Sequence, residues 1–323
     1  MPKEILPNIH LIEVPLPGNP LKSLNSYLVR GHGRNLLIDT GFNHEECRRA
    51  LTAALAALDV DMDRTDIFLT HMHSDHCGLA YHVASPTSKI YISKKDHAYM
   101  MQVISPDGWE KINNYLSRFG FSEAEITENR LTNPIQEYAP SLDTVYVTIE
   151  DGFMLDLGAY RLQAIETPGH TPGHMCLYAG EQKLLFCGDH IIFDISPNIT
   201  SWRDERIPLR LYMESLEHVR KLDVRTALSA HRQATGSCRK RIDELLIHHR
   251  ARLQEAYETA KKHPYSTAYE IASEMTWVSC TGWQGFSISQ KWFAVGEAMA
   301  HLEYLVAQGS IIQETAGGQF RFL

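Results

Sequence analysis

The chain has 323 residues, 44% of them apolar and 22% charged, with 20 Gly and 14 Pro, a globular composition that excludes collagen-like and disordered classes. At roughly 150 residues per domain, two domains are expected. The formal charge of −8 argues against a general nucleic-acid binder, and the 17 histidines are a surplus that needs a chemical reason.

The six cysteines (Cys47, Cys77, Cys176, Cys187, Cys238, Cys280) form no Cys-x-x-Cys pair. In a chain this long they do not make a disulfide framework, so a reducing, cytoplasmic setting is expected. The start, Met-Pro-Lys-Glu-Ile-Leu-Pro, lacks the apolar run of a signal peptide. No stretch reaches about 18 consecutive apolar residues, so no membrane span is expected.

In chain order, Ile9–Val14, Ser26–Arg30 and Leu36–Asp39 read as strands. A helix follows over 43–58, with Leu51, Leu55 and Leu58 at helical spacing. Ile67–Leu69 and Lys89–Ser93 are short buried strands. Residues 94–130 read as two or three helices rich in Met and aromatics (Tyr99, Met100, Met101, Trp109, Tyr115, Phe119, Phe121), a helical core or, in the alternative, a substrate-covering lid. Strands return at Thr144–Ile149, Phe153–Leu155, Tyr160–Ile165, Met175–Tyr178 and Lys183–Cys187, then a helix at 210–221 and the strand Thr226–Ser229. This order fits two mixed sheets with helices outside, an α/β layered domain over 1–236. A second domain is expected over 237–323: a long helix to His263, ended by Pro264, a helix capped by Ser266, a third over 289–308, and a closing hairpin around Gly317-Gly318.

The decisive segment is Thr70-His-Met-His-Ser-Asp-His-Cys-Gly78, three histidines and an aspartate within six residues after a short apolar strand. Such strand ends open at a sheet edge, where ligand sites form. In an extended loop His71 and His73 project to one side, while Asp75 and His76 aim elsewhere as the chain enters a helix. One loop can therefore serve two adjacent ions, and its imidazole and carboxylate donors suit Zn, Fe or Mn. Further ligand types follow other strands: His170 and His174 in Thr-Pro-Gly-His-Thr-Pro-Gly-His, Asp189 and His190 in Cys-Gly-Asp-His, and His231 in Ser-Ala-His. Cys77 reads as packing rather than as a ligand or nucleophile.

This set resembles the metallo-β-lactamase-fold superfamily, whose signature is His-x-His-x-Asp-His followed by a His, a bridging Asp and a final His. The resemblance covers residues 1 to about 236. It implies a four-layer αββα sandwich, with His71, His73 and His170 at one metal, Asp75, His76 and His231 at a second, and Asp189 between them. Leu37-Ile-Asp39-Thr-Gly41 matches an early family motif in which the aspartate supports the metal loop. Where the family has a Gly-His-Gly-like loop this chain has Ala230-His231-Arg232, and His248 and His249, mid-helix, are the alternatives to His231. The C-terminal part resembles the winged-helix-like tail of the lactamase-β-like 2 branch, close to glyoxalase II-like thioesterases, and so does Gly188–Ile199.

The resemblance implies two divalent ions, Zn first with Fe or Mn as alternatives. Between them a shared hydroxide, its pKa lowered to about 7, is the nucleophile, with Asp75 and Asp189 as the catalytic carboxylates. True zinc β-lactamases of the largest subclass carry Cys at the place of Asp189, and flavodiiron-type relatives an acid at the place of His73. The expected activity is hydrolysis of a thioester or related acyl substrate with an anionic tail. The alternatives are a single-strand endoribonuclease, a mononuclear iron persulfide dioxygenase, and a regulator without catalysis.

Charge bears on the substrate. From Arg239 to Leu323 nine Lys/Arg balance nine Asp/Glu, and helix 289–308 holds one cation, Lys291, so DNA binding is not expected of the tail. The tail is expected instead to cap the active-site edge or to mediate self-association. From Thr200 to Arg241, however, ten Lys/Arg face five acids. With Arg232 beside a candidate ligand and Arg239 at a helix start, this stretch is a candidate anion site, with His174 and His190 as candidate substrate contacts. It suits a small anionic molecule and leaves RNA open as a partner.

Overall fold

The computed structural model describes residues 2–105, 107–132, 138–202, 207–233, 236–278 and 282–323. Cys280 and the charged residues Arg203, Asp204, Glu205 and Arg206 of the basic stretch lie outside these.

Seven strands form the first sheet in sequence order: β1 (Lys3–Leu6), β2 (Ile9–Pro15), β3 (Ser23–Val29), β4 (Asn35–Ile38), β5 (Thr65–Phe68), β6 (Ile90–Ser93) and β7 (Tyr146–Ile149). The β1–β4 pairs are antiparallel and the β4–β7 pairs parallel. The second sheet has the order β12-β11-β10-β9-β8, from β8 (Met154–Asp156), β9 (Arg161–Glu166), β10 (Met175–Ala179), β11 (Leu184–Gly188) and β12 (Thr226–Ser229). Only β11 and β12 pair in parallel there.

The sheets pack face to face through one apolar core. Ile9, Val29, Leu36, Ile38 and Phe68 of the first meet Leu162, Ala164, Leu177, Phe186 and Leu228 of the second. Tyr27 packs edge-on against Phe186 at 5.4 Å, and its hydroxyl donates to the Ser229 carbonyl across the core. Strands buried on both faces read as near-continuous apolar runs, as β11 (Leu-Leu-Phe-Cys-Gly) does, without alternation. Outside, α1 (Glu45–Ala57) buries Cys47, Leu51 and Leu55, and His44 caps its start through Nδ1. This is the αββα sandwich that the resemblance implies.

By contacts the chain forms two compact units, Met1–Met100 with Pro134–Pro197 and Ser215–Ile242, and Met101–Asn133 with Asn198–Glu214 and Asp243–Leu323. The second unit is therefore wider than the C-terminal segment 237–323. It takes in the helices Gly108–Phe119 and Glu123–Thr132, because Leu116, Phe119 and Phe121 share a core with Ala256, Ile271, Leu302 and Phe322. These aromatics are buried in that core. The elements expected after 237 are present: a helix Cys238–Lys262, a helix Ala268–Glu274, a helix Ile288–Ala307, and a hairpin of Gln313–Ala316 with Gln319–Phe322. One cap differs. Thr267, not Ser266, caps the second of these helices in a capping box with Glu270, since Ser266 is engaged in a β-bridge to Phe322.

Candidate metal centre

Five strand ends meet at one edge of the sandwich. Asp39 follows β4, the His71–His76 loop follows β5, His170 follows β9, Asp189 follows β11 and His231 follows β12. Parallel pairing of β4 with β5 and of β11 with β12 brings those carboxyl ends to the same side.

The seven expected ligands come together. His71 Nε2 and His170 Nε2 each lie 3.0 Å from His73 Nδ1. His231 Nε2 lies 3.3 Å from both His76 Nε2 and Asp75 Oδ2. The donor atoms of His71, His73 and His170, of Asp75, His76 and His231, and of His71, His76 and Asp189 each fall within 4.8 Å of one another. Asp189 spans the two trios. Its Oδ2 is 3.6 Å from His170 Nε2, and its Oδ1 is 3.5 Å from His231 Nε2 and 3.7 Å from His76 Nε2. Asp189 Oδ1 is buried with no hydrogen-bond partner among the described residues.

Hydrogen bonds behind the site set which ring nitrogens face inward. The Asp39 carboxylate can only accept, so His76 donates its Nδ1–H to Oδ2 (2.8 Å) and turns Nε2 to the centre. His231 likewise donates Nδ1–H to the Ser23 carbonyl (2.9 Å). Asp39 also accepts the Thr70 amide on Oδ1 and the Thr70 hydroxyl on Oδ2, both at 2.8 Å. It adopts φ +59, a left-handed conformation that an aspartate tolerates.

The electrostatics fit a cation. Burial, with the neighbouring imidazoles, holds His71 well below its ordinary pKa, and burial with His170 pulls His73 down to about 3. Both present lone pairs at neutral pH. Burial pushes Asp75 up, but His76 and His231 outweigh it and hold the carboxyl at about 2. Burial likewise opposes charge on Asp189, and His231 and His76 bring it well below the usual range. On His76, Asp39, Asp75 and Asp189 overcome burial and raise it well above 6.5. Neutral imidazoles 3.0 Å apart beside buried carboxylates have their charge and lone pairs met by divalent ions. With nitrogen and oxygen donors and no thiolate, the set suits zinc, iron or manganese.

The fallback ligand His249 lies in the second unit, 3.4 Å from His301, and takes no part. Cys77 is buried, donates to the Met72 carbonyl and has its thiol pushed well above 9, so it packs rather than attacks. His174 and His190, the candidate substrate contacts, are fully buried and offer a substrate no surface. His174 instead accepts the Asp189 backbone N–H on Nε2 (3.1 Å) and donates Nδ1–H to the Thr167 hydroxyl (2.8 Å), which fixes the Asp189 loop. Gly188, at φ +50, must lack a side chain, since a Cβ would lie 2.5 Å from His174 Nε2 and 2.9 Å from Thr70 Cβ. Arg232 is half-buried beside His231, and Arg239 is exposed at the start of Cys238–Lys262.

Two residues went unread in the sequence. Thr70 stands in the quoted motif, but its hydroxyl contact to Asp39 carries no sequence signature. Asp96 lies in the helix Lys94–Val103, where an acid in the first helical turn passes for an ordinary dipole partner.

The model of the metallo-beta-lactamase superfamily matches residues 20–231. The chain belongs to the metallo-beta-lactamase superfamily. The superfamily's C-terminal domain model matches residues 284–323. Among relatives, a beta-lactamase-like protein 2 homolog of Caenorhabditis elegans is 26% identical over 256 residues, 79% of this chain and 71% of that one. An atrochrysone carboxyl ACP thioesterase of Aspergillus fumigatus is 25% identical over 233 residues, 71% of this chain and 58% of that one. The crystal structure of a metallo-beta-lactamase family protein from Thermus thermophilus superposes with TM-score 0.81 at 28% identity, covering 99% of each chain. By family and by its His/Asp cluster this superfamily member is a metal-dependent hydrolase. Among the described residues, no helix is long and apolar enough to cross a membrane.

Proposed function

We propose that this superfamily member cleaves a thioester or related acyl substrate with an anionic tail, at a centre of two divalent ions, zinc foremost. The observation that carries two ions rather than one is the reach of Asp189, one oxygen toward each trio. Bound there, such ions supply an activated water and Lewis-acid polarisation of the scissile group. His71, His73 and His170 would hold one, Asp75, His76 and His231 the other, with Asp189 between. The protein's own part is orientation: Asp39 and the Ser23 carbonyl fix the tautomers of His76 and His231, and His174 fixes the Asp189 loop. Arg232, half-buried and next to His231 in sequence, supports an anionic tail, and the named thioesterase among the relatives supports the acyl class.

The test is metal content by mass spectrometry together with a panel of acyl-CoA, acyl-glutathione and acyl-pantetheine thioesters. Two ions per chain and hydrolysis lost in Asp189→Ala support the reading. Two bound ions with no thioester cleaved would sink the substrate class. Salt-sensitive cleavage of unstructured RNA would replace it with a ribonuclease, and one iron with oxygen uptake on a persulfide would replace it with a dioxygenase.

A further inference from the structure

Asp96 is fully buried, and its carboxylate accepts three hydrogen bonds, two from residues adjoining candidate ligands and one from Gly173 in the loop that follows His170. Oδ2 accepts the Met72 amide at 3.0 Å and the Thr171 hydroxyl at 2.7 Å. Oδ1 accepts the Gly173 amide at 2.6 Å. Met72 separates His71 from His73, Thr171 follows His170, and Gly173 precedes His174. One carboxylate thus ties the loop after the first sheet's β5 to the loop after the second sheet's β9, the two loops that carry the whole His71/His73/His170 trio. The carboxylate is itself anchored, because the Asp96 amide donates to Ser93 Oγ at 3.0 Å. The Gly173 loop presses close against it: a Cβ at 173 would lie 2.1 Å from Ser93 Oγ and 2.7 Å from the Asp96 nitrogen. Asp39 holds the other trio through His76, and through Thr70, whose hydroxyl lies 3.0 Å from His71 Nδ1, it also reaches the first.

We infer that Asp96 is a positioning residue dedicated to the His71/His73/His170 half of the centre, while Asp39 holds His76 of the Asp75/His76/His231 half. This rests on the two-ion reading above. Metal–ligand distances in formed sites fall within about 0.2 Å of their ideal values. A loop released from Asp96 moves its histidines past that, whereas the second trio keeps its own anchor.

Two measurements on the full-length protein test this. In the first, zinc is titrated into metal-free Asp96→Asn and Thr171→Val against a chelator. The expected result is about tenfold or greater weakening of one binding step, with the other within about twofold. In a His73→Ala background, which removes that trio, Asp96→Asn leaves the remaining step unchanged. In the second, histidine ring NMR signals are followed in the metal-free protein. Thr171→Val, which removes one hydrogen bond at nearly constant shape, shifts His71, His73 and His170 and not His76 or His231. Equal weakening of both steps, or ring shifts in both trios or in neither, overturns the assignment and leaves Asp96 a general structural residue. If the wild type takes up fewer than two ions, the two-ion reading fails while the NMR result still judges Asp96.

Discussion

Replacing Asp39 by Asn probes how the hydrogen bonds behind the centre set its metal affinity. Asn tolerates the left-handed φ of +59, so the backbone is not strained. The chemistry changes, because two accepting oxygens become one oxygen and one NH₂, while three donors, the Thr70 amide, the Thr70 hydroxyl and His76 Nδ1–H, still point at them. With the NH₂ toward His76, the ring must move its proton to Nε2, the nitrogen 3.3 Å from His231 Nε2. That proton occupies the lone pair a metal needs. Loss of such a partner costs about 10- to 100-fold in metal affinity, or about 1.4–2.7 kcal/mol. Competition titration of zinc against a chromophoric chelator reads this directly, with circular dichroism of the metal-free variant as the control for folding. A folded Asp39→Asn protein that binds both ions with wild-type affinity would refute the idea that Asp39 fixes the His76 tautomer.

Two further outcomes follow from contacts already described. Gly188→Ala drives a methyl into His174 and Thr70 at a positive φ, so it lowers stability by about 1–3 kcal/mol in urea unfolding and weakens metal uptake. Wild-type behaviour would mean that the Asp189 loop is not held this tightly. Glu303 is raised from 4.5 to about 7 by burial, against a hydrogen bond from Ser201 (2.7 Å), which in turn contacts the Tyr115 hydroxyl. A raised carboxyl favours the protonated fold. Its contribution is therefore complete below pH 4.5, declines as pH rises to about 7, and reaches a cost of at most about 3 kcal/mol above that. Glu303→Gln removes this slope, and unchanged pH dependence of unfolding between pH 5 and 8 would contradict it.

The ligands were legible because a dense run of His and Asp after a short apolar strand has few structural uses. His231 was reached by the same logic of strand ends despite its Ala-His-Arg setting, and β12 has the bounds read for it, Thr226–Ser229. The supports behind the ligands were less legible. Asp96 is 20 residues beyond His76, and only tertiary folding decides that its carboxylate is buried under two loops rather than exposed on a helix. His174 carries a ligand-like neighbourhood, but its role depends on the Asp189 amide, a backbone group with no letter in the sequence. The amphipathic face of the helix Gly108–Phe119 announces burial without naming a partner, so nothing in the sequence points to its packing with Ile271 and Leu302. Ser266 and Thr267 are adjacent hydroxyls of similar capping power, and the bridge to Phe322 chooses between them.

Each trio draws ligands from both sheets: His71, His73, Asp75 and His76 leave the first, while His170, Asp189 and His231 leave the second. An ion held there is a rivet through the two leaves of the sandwich, joining segments that the unfolded chain keeps far apart. It binds only the closed arrangement, so its free energy adds to that of folding, by about 4 kcal/mol at a thousand times the dissociation constant. The same supply of metal then sets the stability margin of the folded protein as well as its turnover, so scarcity of the ion loosens the clasp between the two sheets in the same step that silences the enzyme.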